Sequence, residues 1–285
     1  MLFPGPTALI LGVNRSGSTS VFELLRQHPD ACVSRPKESY YFDNCTEYQM
    51  GLDFYRQTYF KGYTGQAVAV DANPRLMMLP WAIPRVRATC PGARFVVVLR
   101  DPVARAFSQW ALRGIVNLDA RGFAACIAQN LARWNSVGNV FDKPGTEHLW
   151  RQVCWKQSEG RPNFVNYDYF LESGLYAINL ARWFAVFPRS QFLILTNDQL
   201  GQPGMVVTIY NHVGLDPSRG LAAVPNVNSW RRYVGQNNAA QASGMVPDAA
   251  TVATLKTFYA PQDAALCTLL GWKQTPWSIT PDNFA

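Results

Sequence analysis

A turn rich in glycine and serine near the start of the chain carries residue types that bind phosphate. It spans residues 12–19 and reads Gly-Val-Asn-Arg-Ser-Gly-Ser-Thr. Glycine lets a backbone turn sharply and come close to a ligand, and the free N–H groups at the start of a helix attract anions. Arg15 places a positive charge inside the turn. The turn therefore predicts a cradle for a phosphate-bearing ligand.

The residue at position 18 distinguishes this turn from a nucleoside triphosphate site. Gly12 and Gly17 have the spacing of a Walker A loop, but Ser18 stands where that loop has the lysine that reaches the β- and γ-phosphates. A nucleotide kinase is therefore disfavoured, and magnesium dependence would reveal one. The charge at Arg15 suits a 5′-phosphosulfate instead, and a turn without any ligand is the plain alternative.

Other charged residues follow predicted strands. Lys37 and Glu38 come shortly after the second predicted strand, Asp71 ends the third, and Arg100 follows the fourth. Open α/β sheets build their sites beyond the carboxyl ends of the strands. A carboxylate there can accept a proton, and lysine or arginine can bind an anion. The alternatives are a surface ion pair for Glu38 and a capping or turn role for Asp71.

The elements that must position these residues alternate between strands and helices. The predicted strands are 8–11, 31–33, 67–71, 94–99 and 191–195. The predicted helices are 21–28, 52–59, 81–89, 103–113, 122–134, 174–187, 205–213, 247–258 and 261–270. This alternation predicts an α/β fold with a central parallel sheet flanked by helices. Residues 1–285 show no linker and are predicted to form a single domain, with a long lid-like loop over 136–166.

Composition narrows the classes of partner. The chain has 285 residues, is 48% hydrophobic and carries a net charge of +7, which favours nucleic acid, an acidic polysaccharide or an anionic nucleotide, or else serves only solubility. No run of 18 apolar residues or visible signal peptide is present. The six cysteines are scattered without a C-x-x-C pair, so no metal site is expected, and their redox state is left open.

Several motifs, taken together, resemble the sulfotransferases that use 3′-phosphoadenosine 5′-phosphosulfate (PAPS). Residues 12–19 resemble their 5′-phosphosulfate loop, and residues 99–108 (Leu-Arg-Asp-Pro-Val-Ala-Arg-Ala-Phe-Ser) resemble their 3′-phosphate motif. Lys37-Glu38, Val70–Pro74 and residues 174–195 are similar to further segments of the Golgi-type carbohydrate enzymes. The likeness is closest in character to N-acetylgalactosamine 4-sulfate 6-O-sulfotransferase, with the heparan sulfate enzymes next. It implies the P-loop-containing three-layer fold.

The resemblance implies roles for the residues of the turn and of the Lys-Glu pair. Glu38 is the expected base, Lys37 bridges donor and acceptor, and Asp71 orients Lys37 or an acceptor hydroxyl. Arg15 stands where the related carbohydrate enzymes have lysine; because arginine stays protonated, it is expected to stabilise the leaving phosphate rather than donate a proton. The 5′-phosphosulfate is expected to bind Arg15 together with Ser16, Gly17, Ser18, Thr19 and Ser20.

The remaining donor contacts are expected from later motifs. Arg100 and Ser108 would bind the 3′-phosphate by charge and by hydroxyl donation. Arg232, or its neighbour Arg231, would close over the nucleotide. PAPS is thus the expected co-substrate and 3′-phosphoadenosine 5′-phosphate the product, with no metal required.

The predicted function is sulfuryl transfer from PAPS to a hydroxyl of a glycosaminoglycan-like chain such as chondroitin sulfate. The alternatives are a small hydroxylated metabolite, a lipid or a protein tyrosine as acceptor, and a non-catalytic binder of sulfated glycan. No nucleic-acid partner and no transmembrane segment are expected. The Golgi lumen is expected for a trimmed domain, and the cytoplasm if Met1 is the native start. The sequence predicts no oligomeric state.

Overall fold

The central sheet has five strands, all parallel. The computed structural model describes residues 3–115, 121–148, 150, 169–225 and 246–277, with the side chains of 113–115 left out. Its strands are β1 Ala8–Gly12, β2 Ala31–Val33, β3 Val68–Ala72, β4 Arg94–Leu99 and β5 Phe192–Thr196. They pair in the order β2-β3-β1-β4-β5. The predicted α/β fold with a parallel sheet flanked by helices is confirmed.

Helices connect and follow these strands. Within the described residues they are α1 Ser18–Arg26, α2 Cys45–Gln49, α3 Gly51–Tyr59, α4 Ala82–Thr89, α5 Pro102–Ile115, α6 Phe123–Val137, α7 Tyr176–Phe184, α8 Met205–Val213 and α9 Ala249–Leu270. Helix α2 lies in a stretch that the sequence pattern left irregular. The Asn44 side chain begins it by accepting a hydrogen bond from the Thr46 N–H. A short turn of 3₁₀ helix, Pro74–Met78, follows β3.

The chain divides into two compact units, each made of two segments. The first unit combines Met1–Arg100 with Asn179–Asn228, and the second combines Asp101–Ile178 with Ser229–Ala285. The whole sheet belongs to the first unit. The single domain over residues 1–285 stays a prediction.

The core of the first unit explains why the strands are apolar. Strands β1, β3 and β4 are buried along almost their whole length, as expected for parallel strands covered on both faces. One face packs against α1 and α8 through Ile10, Val96, Val98, Leu24 and Ile209, among others. On the opposite face Phe95 stacks on Phe192 at 4.6 Å between ring centroids and meets Trp183 edge-on.

The described residues of the second unit are mainly helical, and the last of these helices corrects a sequence prediction. Two helices were predicted over 247–258 and 261–270, but α9 is one helix that continues through Pro261. Proline removes one intrahelical hydrogen bond. The buried side chains of Leu255, Tyr259 and Leu266 lie along this one helix, and the Asp248 side chain caps its start. We attribute the continuity to this packing, which offsets the lost hydrogen bond.

Three further findings concern the described residues only. None of their helices is both long and apolar enough to cross a membrane. They contain no cluster of three or more His, Cys, Asp or Glu side chains suited to a metal ion. Five of the cysteines, at positions 32, 45, 90, 126 and 267, are free thiols. Cys154 and residues 151–166 of the predicted lid-like loop lie outside this part of the chain.

Candidate active site

A candidate site residue or segment follows each strand of the sheet, just beyond the carboxyl end of that strand. Because the five strands are parallel, these ends share one edge of the sheet, where ligands of open α/β folds bind. In strand order from β1 to β5, the residues delivered are the loop after Gly12, the Lys37-Glu38 pair, Arg75, Arg100 and Asn197.

The turn after β1, here called the phosphosulfate loop (residues 12–19), has two residues in the left-handed conformation. They are Arg15 with φ 74° and Gly17 with φ 105°. A Cβ atom on Gly17 would lie 2.6 Å from Leu200 Cδ1 and 2.9 Å from Asn197 Nδ2, which is closer than real contacts allow. The positive φ therefore favours glycine at position 17, and a Cβ atom there would also require the ends of the Leu200 and Asn197 side chains to move.

The loop leads into the first turn of α1 and presents groups suited to an anion. The first N–H groups of a helix have no partner within it, and α1 has no acidic residue in its first turn. Ser16 Oγ is buried and has no hydrogen-bond partner among the described residues. An unpartnered hydroxyl beside a helix start fits the 5′-phosphosulfate group that the motif predicts.

Two side chains from other strand ends hold the loop by its carbonyl groups. Arg100 Nη1 donates to the Arg15 carbonyl at 3.2 Å, and Asn197 Nδ2 donates to the Ser16 carbonyl at 2.9 Å. Arg100 thus supports the loop, while its contact with a 3′-phosphate stays a prediction. The role of Asn197 in holding the loop was not predicted from the sequence. The only signal was a polar residue directly after the last strand.

The Lys37-Glu38 pair follows β2 in a segment that we call the base segment (residues 34–38). Glu38 Oε1 lies 3.2 Å from Lys37 Nζ, and Glu38 Oε2 lies 2.6 Å from Arg75 Nη1. The Glu38 side chain keeps 29% of its surface exposed. Burial raises its pKa, but the nearby charges of Lys37 and Arg75 outweigh burial and hold that pKa below the ordinary glutamate value. Glu38 is therefore ionised at neutral pH and can accept a proton.

Asp71 lies within β3 and supports the base segment from behind. Its carboxylate accepts hydrogen bonds from Ser39 Oγ and Tyr55 Oη, both at 2.6 Å, and from Ser34 Oγ at 3.3 Å. Ser34 Oγ also bonds the Lys37 carbonyl at 2.8 Å. Asp71 is fully buried, and burial raises its pKa, although the three hydroxyl donors act against this. It is linked to the Lys37 carbonyl through Ser34, and its role in orienting Lys37 or an acceptor hydroxyl stays a prediction.

Two more buried carboxylates belong to this region: Asp43 pairs with Arg75, and Glu47 interacts with Tyr59 and Asp43. Burial raises the pKa of Asp43 to about 6, against the opposing charge of Arg75. Burial also raises the pKa of Glu47 to about 7, although Tyr59 Oη donates a hydrogen bond of 2.7 Å to it. We call Glu38, Asp43, Glu47, Asp71 and Arg75 the carboxylate network.

Two further contacts with PAPS were predicted, from Ser108 and from Arg232 or Arg231. Ser108 lies on α5 in the second unit and is 2% exposed. Arg232 and Arg231 lie outside the described residues. The assignment of Ser108 to the 3′-phosphate and of Arg232 to a cover over the nucleotide both stay predictions.

A family model agrees with the motifs and the fold. The model described as "Sulfotransferase domain" matches residues 6–203. That range contains all five strands and both phosphate motifs.

Curated relatives match over a similar length of the chain. Human heparan sulfate glucosamine 3-O-sulfotransferase 6 is 29% identical over 212 residues, which are 74% of this chain and 52% of the relative. Mouse heparan sulfate glucosamine 3-O-sulfotransferase 5 is 24% identical over 195 residues, 68% of this chain and 49% of the relative. The chain spans about half the length of these relatives.

A solved structure shares the fold. The crystal structure of a sulfotransferase from Alicyclobacillus acidocaldarius aligns with a TM-score of 0.66 at 21% identity, covering 93% of this chain and 96% of that one. At this identity the likeness concerns the fold alone.

Proposed function

The chain belongs to the sulfotransferase domain family, and from that premise we propose that it transfers the sulfuryl group of PAPS to a hydroxyl of a glycosaminoglycan-type sugar chain. One observation carries the proposal. The phosphosulfate loop and the Glu38 carboxylate follow β1 and β2, so both lie beyond the carboxyl ends of strands in one parallel sheet. A turn suited to an anion and an ionised carboxylate thus lie at the same edge, as transfer from an anionic donor to a hydroxyl requires.

The donor end of the site is built from the loop. PAPS, when bound, supplies an activated sulfuryl group whose bond to the phosphate breaks as a bond to the acceptor oxygen forms. The first-turn N–H groups of α1 and Ser16 Oγ would hold the 5′-phosphosulfate. Arg15 would stabilise the negative charge that grows on the departing phosphate.

The acceptor end is built from the base segment. Glu38 would take the proton of the attacking hydroxyl, since its carboxylate is ionised and partly exposed. Lys37, 3.2 Å from that carboxylate, would sit between the acceptor and the sulfuryl group and bind negative charge on either. Asp71 and Ser34 would hold the backbone that carries both residues.

The acceptor class is supported by the relatives and by charge. Both relatives described above are heparan sulfate 3-O-sulfotransferases by name. The net charge of +7 favours an anionic chain. We therefore place heparan-type chains first. Chondroitin-type chains follow on the motif resemblance, and a small hydroxylated molecule or a protein tyrosine comes next.

The test is transfer of labelled sulfate from PAPS, without added metal, to heparan, chondroitin and dermatan chains, a phenol and a tyrosine peptide. Labelling of heparan is the expected result. Labelling of chondroitin or dermatan alone would replace heparan as the proposed acceptor. Labelling of only the phenol or the peptide would overturn the proposal that the acceptor is a glycan. If 3′-phosphoadenosine 5′-phosphate binds but no acceptor is labelled, an Arg15→Lys variant is assayed with the same acceptors. Transfer by that variant would show that arginine at position 15 prevents the reaction, and no transfer would show that the panel lacks the acceptor.

A further inference from the structure

Arg75 is a buried arginine that the sequence motifs did not single out. It lies in the turn Pro74–Met78 after β3, and only 1% of its side chain is exposed. Arginine is rarely buried to this extent unless it is paired. The Asn73 side chain accepts a hydrogen bond from the Arg75 N–H, and Pro74 fixes the preceding backbone. The position of the guanidinium group is therefore set by the strand end itself.

One side of the guanidinium is fixed to the protein. Nε and Nη2 of Arg75 both lie 3.1 Å from Asp43 Oδ2, and Nη2 also donates to the Ser39 carbonyl at 3.4 Å. The Tyr40 ring lies 5.1 Å from the guanidinium carbon. These contacts leave Nη1 aimed at Glu38 Oε2, at 2.6 Å.

The two cations at Glu38 hold it with different stiffness. Lys37 reaches Oε1 at 3.2 Å with a flexible side chain that is 19% exposed, whereas Arg75 is anchored and almost fully enclosed. Removing water from a charged pair is costly, and a buried ion pair adds little stability relative to apolar side chains. A role in orienting Glu38 accounts for the buried arginine better than stability does.

We propose that Arg75 is a positioning residue for sulfuryl transfer: it fixes the Glu38 carboxylate through Oε2 and leaves Oε1, beside Lys37, to receive the proton of the acceptor hydroxyl. The proton of the acceptor hydroxyl moves to Glu38 Oε1. As it does, the acceptor oxygen forms its bond to sulfur, and the bond between sulfur and the phosphate oxygen breaks. The inference rests on the proposed function, with Glu38 as base.

The charges around Glu38 also favour this role. Lys37 and Arg75 face its carboxylate directly, and Asp43 faces it across the guanidinium. Loss of the Arg75 charge would raise the pKa of Glu38 towards or above the ordinary value, because burial would then be opposed by Lys37 alone.

The test uses Arg75→Lys, which keeps the charge but cannot span Glu38 and Asp43 together, and Arg75→Gln combined with Asp43→Asn, which leaves no buried charge unpaired. The double variant removes both partners of the Arg75–Asp43 pair. For both variants we expect kcat to fall about 10²-fold while the Kd for 3′-phosphoadenosine 5′-phosphate stays within about twofold. The Glu38 Cδ resonance, followed by NMR in glutamate-labelled protein, should titrate at higher pH in the double variant. Arg85→Lys is the matched control, because Arg85 Nη1 bonds the nearby Phe42 carbonyl at 3.0 Å.

Unchanged kcat per folded molecule, with only the melting temperature lowered, would overturn the proposal. So would an unmoved Glu38 titration in the double variant. If the parent protein labels only the phenol or the tyrosine peptide, the proposed transfer to a glycan fails. The titration still decides whether Arg75 controls Glu38.

Discussion

The phosphosulfate loop and the base segment lie at the same edge of the sheet but are held in different ways. The loop is held through its backbone. Gly17 adopts a positive φ, and the side chains of Arg100 and Asn197 donate hydrogen bonds to the loop's carbonyl groups. The base segment is fixed by buried charge, through the pairs that Arg75 makes with Glu38 and Asp43. Backbone anchoring tolerates changes of pH, whereas a network of buried carboxylates does not. The two halves of the site should therefore fail under different perturbations.

Gly17→Ala should break the loop and produce the largest effect. The left-handed conformation costs alanine about 1–2 kcal/mol of unfolding free energy, and the Leu200 and Asn197 side chains would have to move away from the new methyl group. Displacement of the loop should weaken binding of 3′-phosphoadenosine 5′-phosphate about 10²-fold or more. Calorimetry and thermal melts measure both. Gly62→Ala is the control, since a Cβ atom there meets nothing within 4 Å. Normal donor binding by Gly17→Ala would show that this geometry is not required.

Glu47 tests the carboxylate network through pH. Its pKa in the folded protein is about 7 against an ordinary 4.5, so the folded state binds its proton more tightly than the unfolded state. The contribution of Glu47 to the free energy of unfolding is therefore fully present below pH 4.5 and is lost as pH rises through 7, a loss of about 3 kcal/mol. Asp43, raised to about 6, acts with the same sign.

Glu47→Gln removes that titration and keeps an acceptor for Tyr59 Oη. Denaturant unfolding should show the variant close to the parent at pH 5 and more stable than the parent at pH 8. Glu23→Gln, at an exposed ion pair with Arg26, controls for the change of surface charge. Parallel pH curves for parent and Glu47→Gln would refute the buried-charge account.

Asn197→Ala should give the smallest of these effects, and it tests whether the loop, unlike the base segment, is held independently of pH. It removes one hydrogen bond to the Ser16 carbonyl, worth about 1 kcal/mol, so donor affinity should fall about fivefold. Because the anchor is uncharged, the loss should be the same at pH 6 and pH 8. Asn211→Ala, at an exposed position on α8, is the control. A loss that varies strongly with pH would contradict the separation of the two halves.

The loop was predictable from sequence because its determinants are local. The strand, the two glycines and the helix start follow one another within a few residues, and the five parallel strands were visible as apolar runs. Glu38 and Lys37 were located by the same reasoning about strand ends.

The network behind Glu38 was not predictable, because it depends on residues brought together by the fold. Arg75 meets Glu38 and Asp43 because β2 and β3 are neighbours in the sheet, and Asp71 of β3 meets Tyr55 of α3. Asn197 reaches the loop from the other end of the sheet. Helix α9 was split in the prediction because Pro261 was given more weight than packing that no pattern reveals.

The most direct test of the account is single-turnover sulfate transfer by Glu38→Gln, with binding of 3′-phosphoadenosine 5′-phosphate measured on the same sample. The rate should fall about 10²–10⁴-fold below that of the parent, because the base is removed. The affinity for the donor product should be unchanged, because the loop is intact. Glu23→Gln should transfer at the parent rate. Transfer by Glu38→Gln at the parent rate would contradict the central claim that Glu38 is the base.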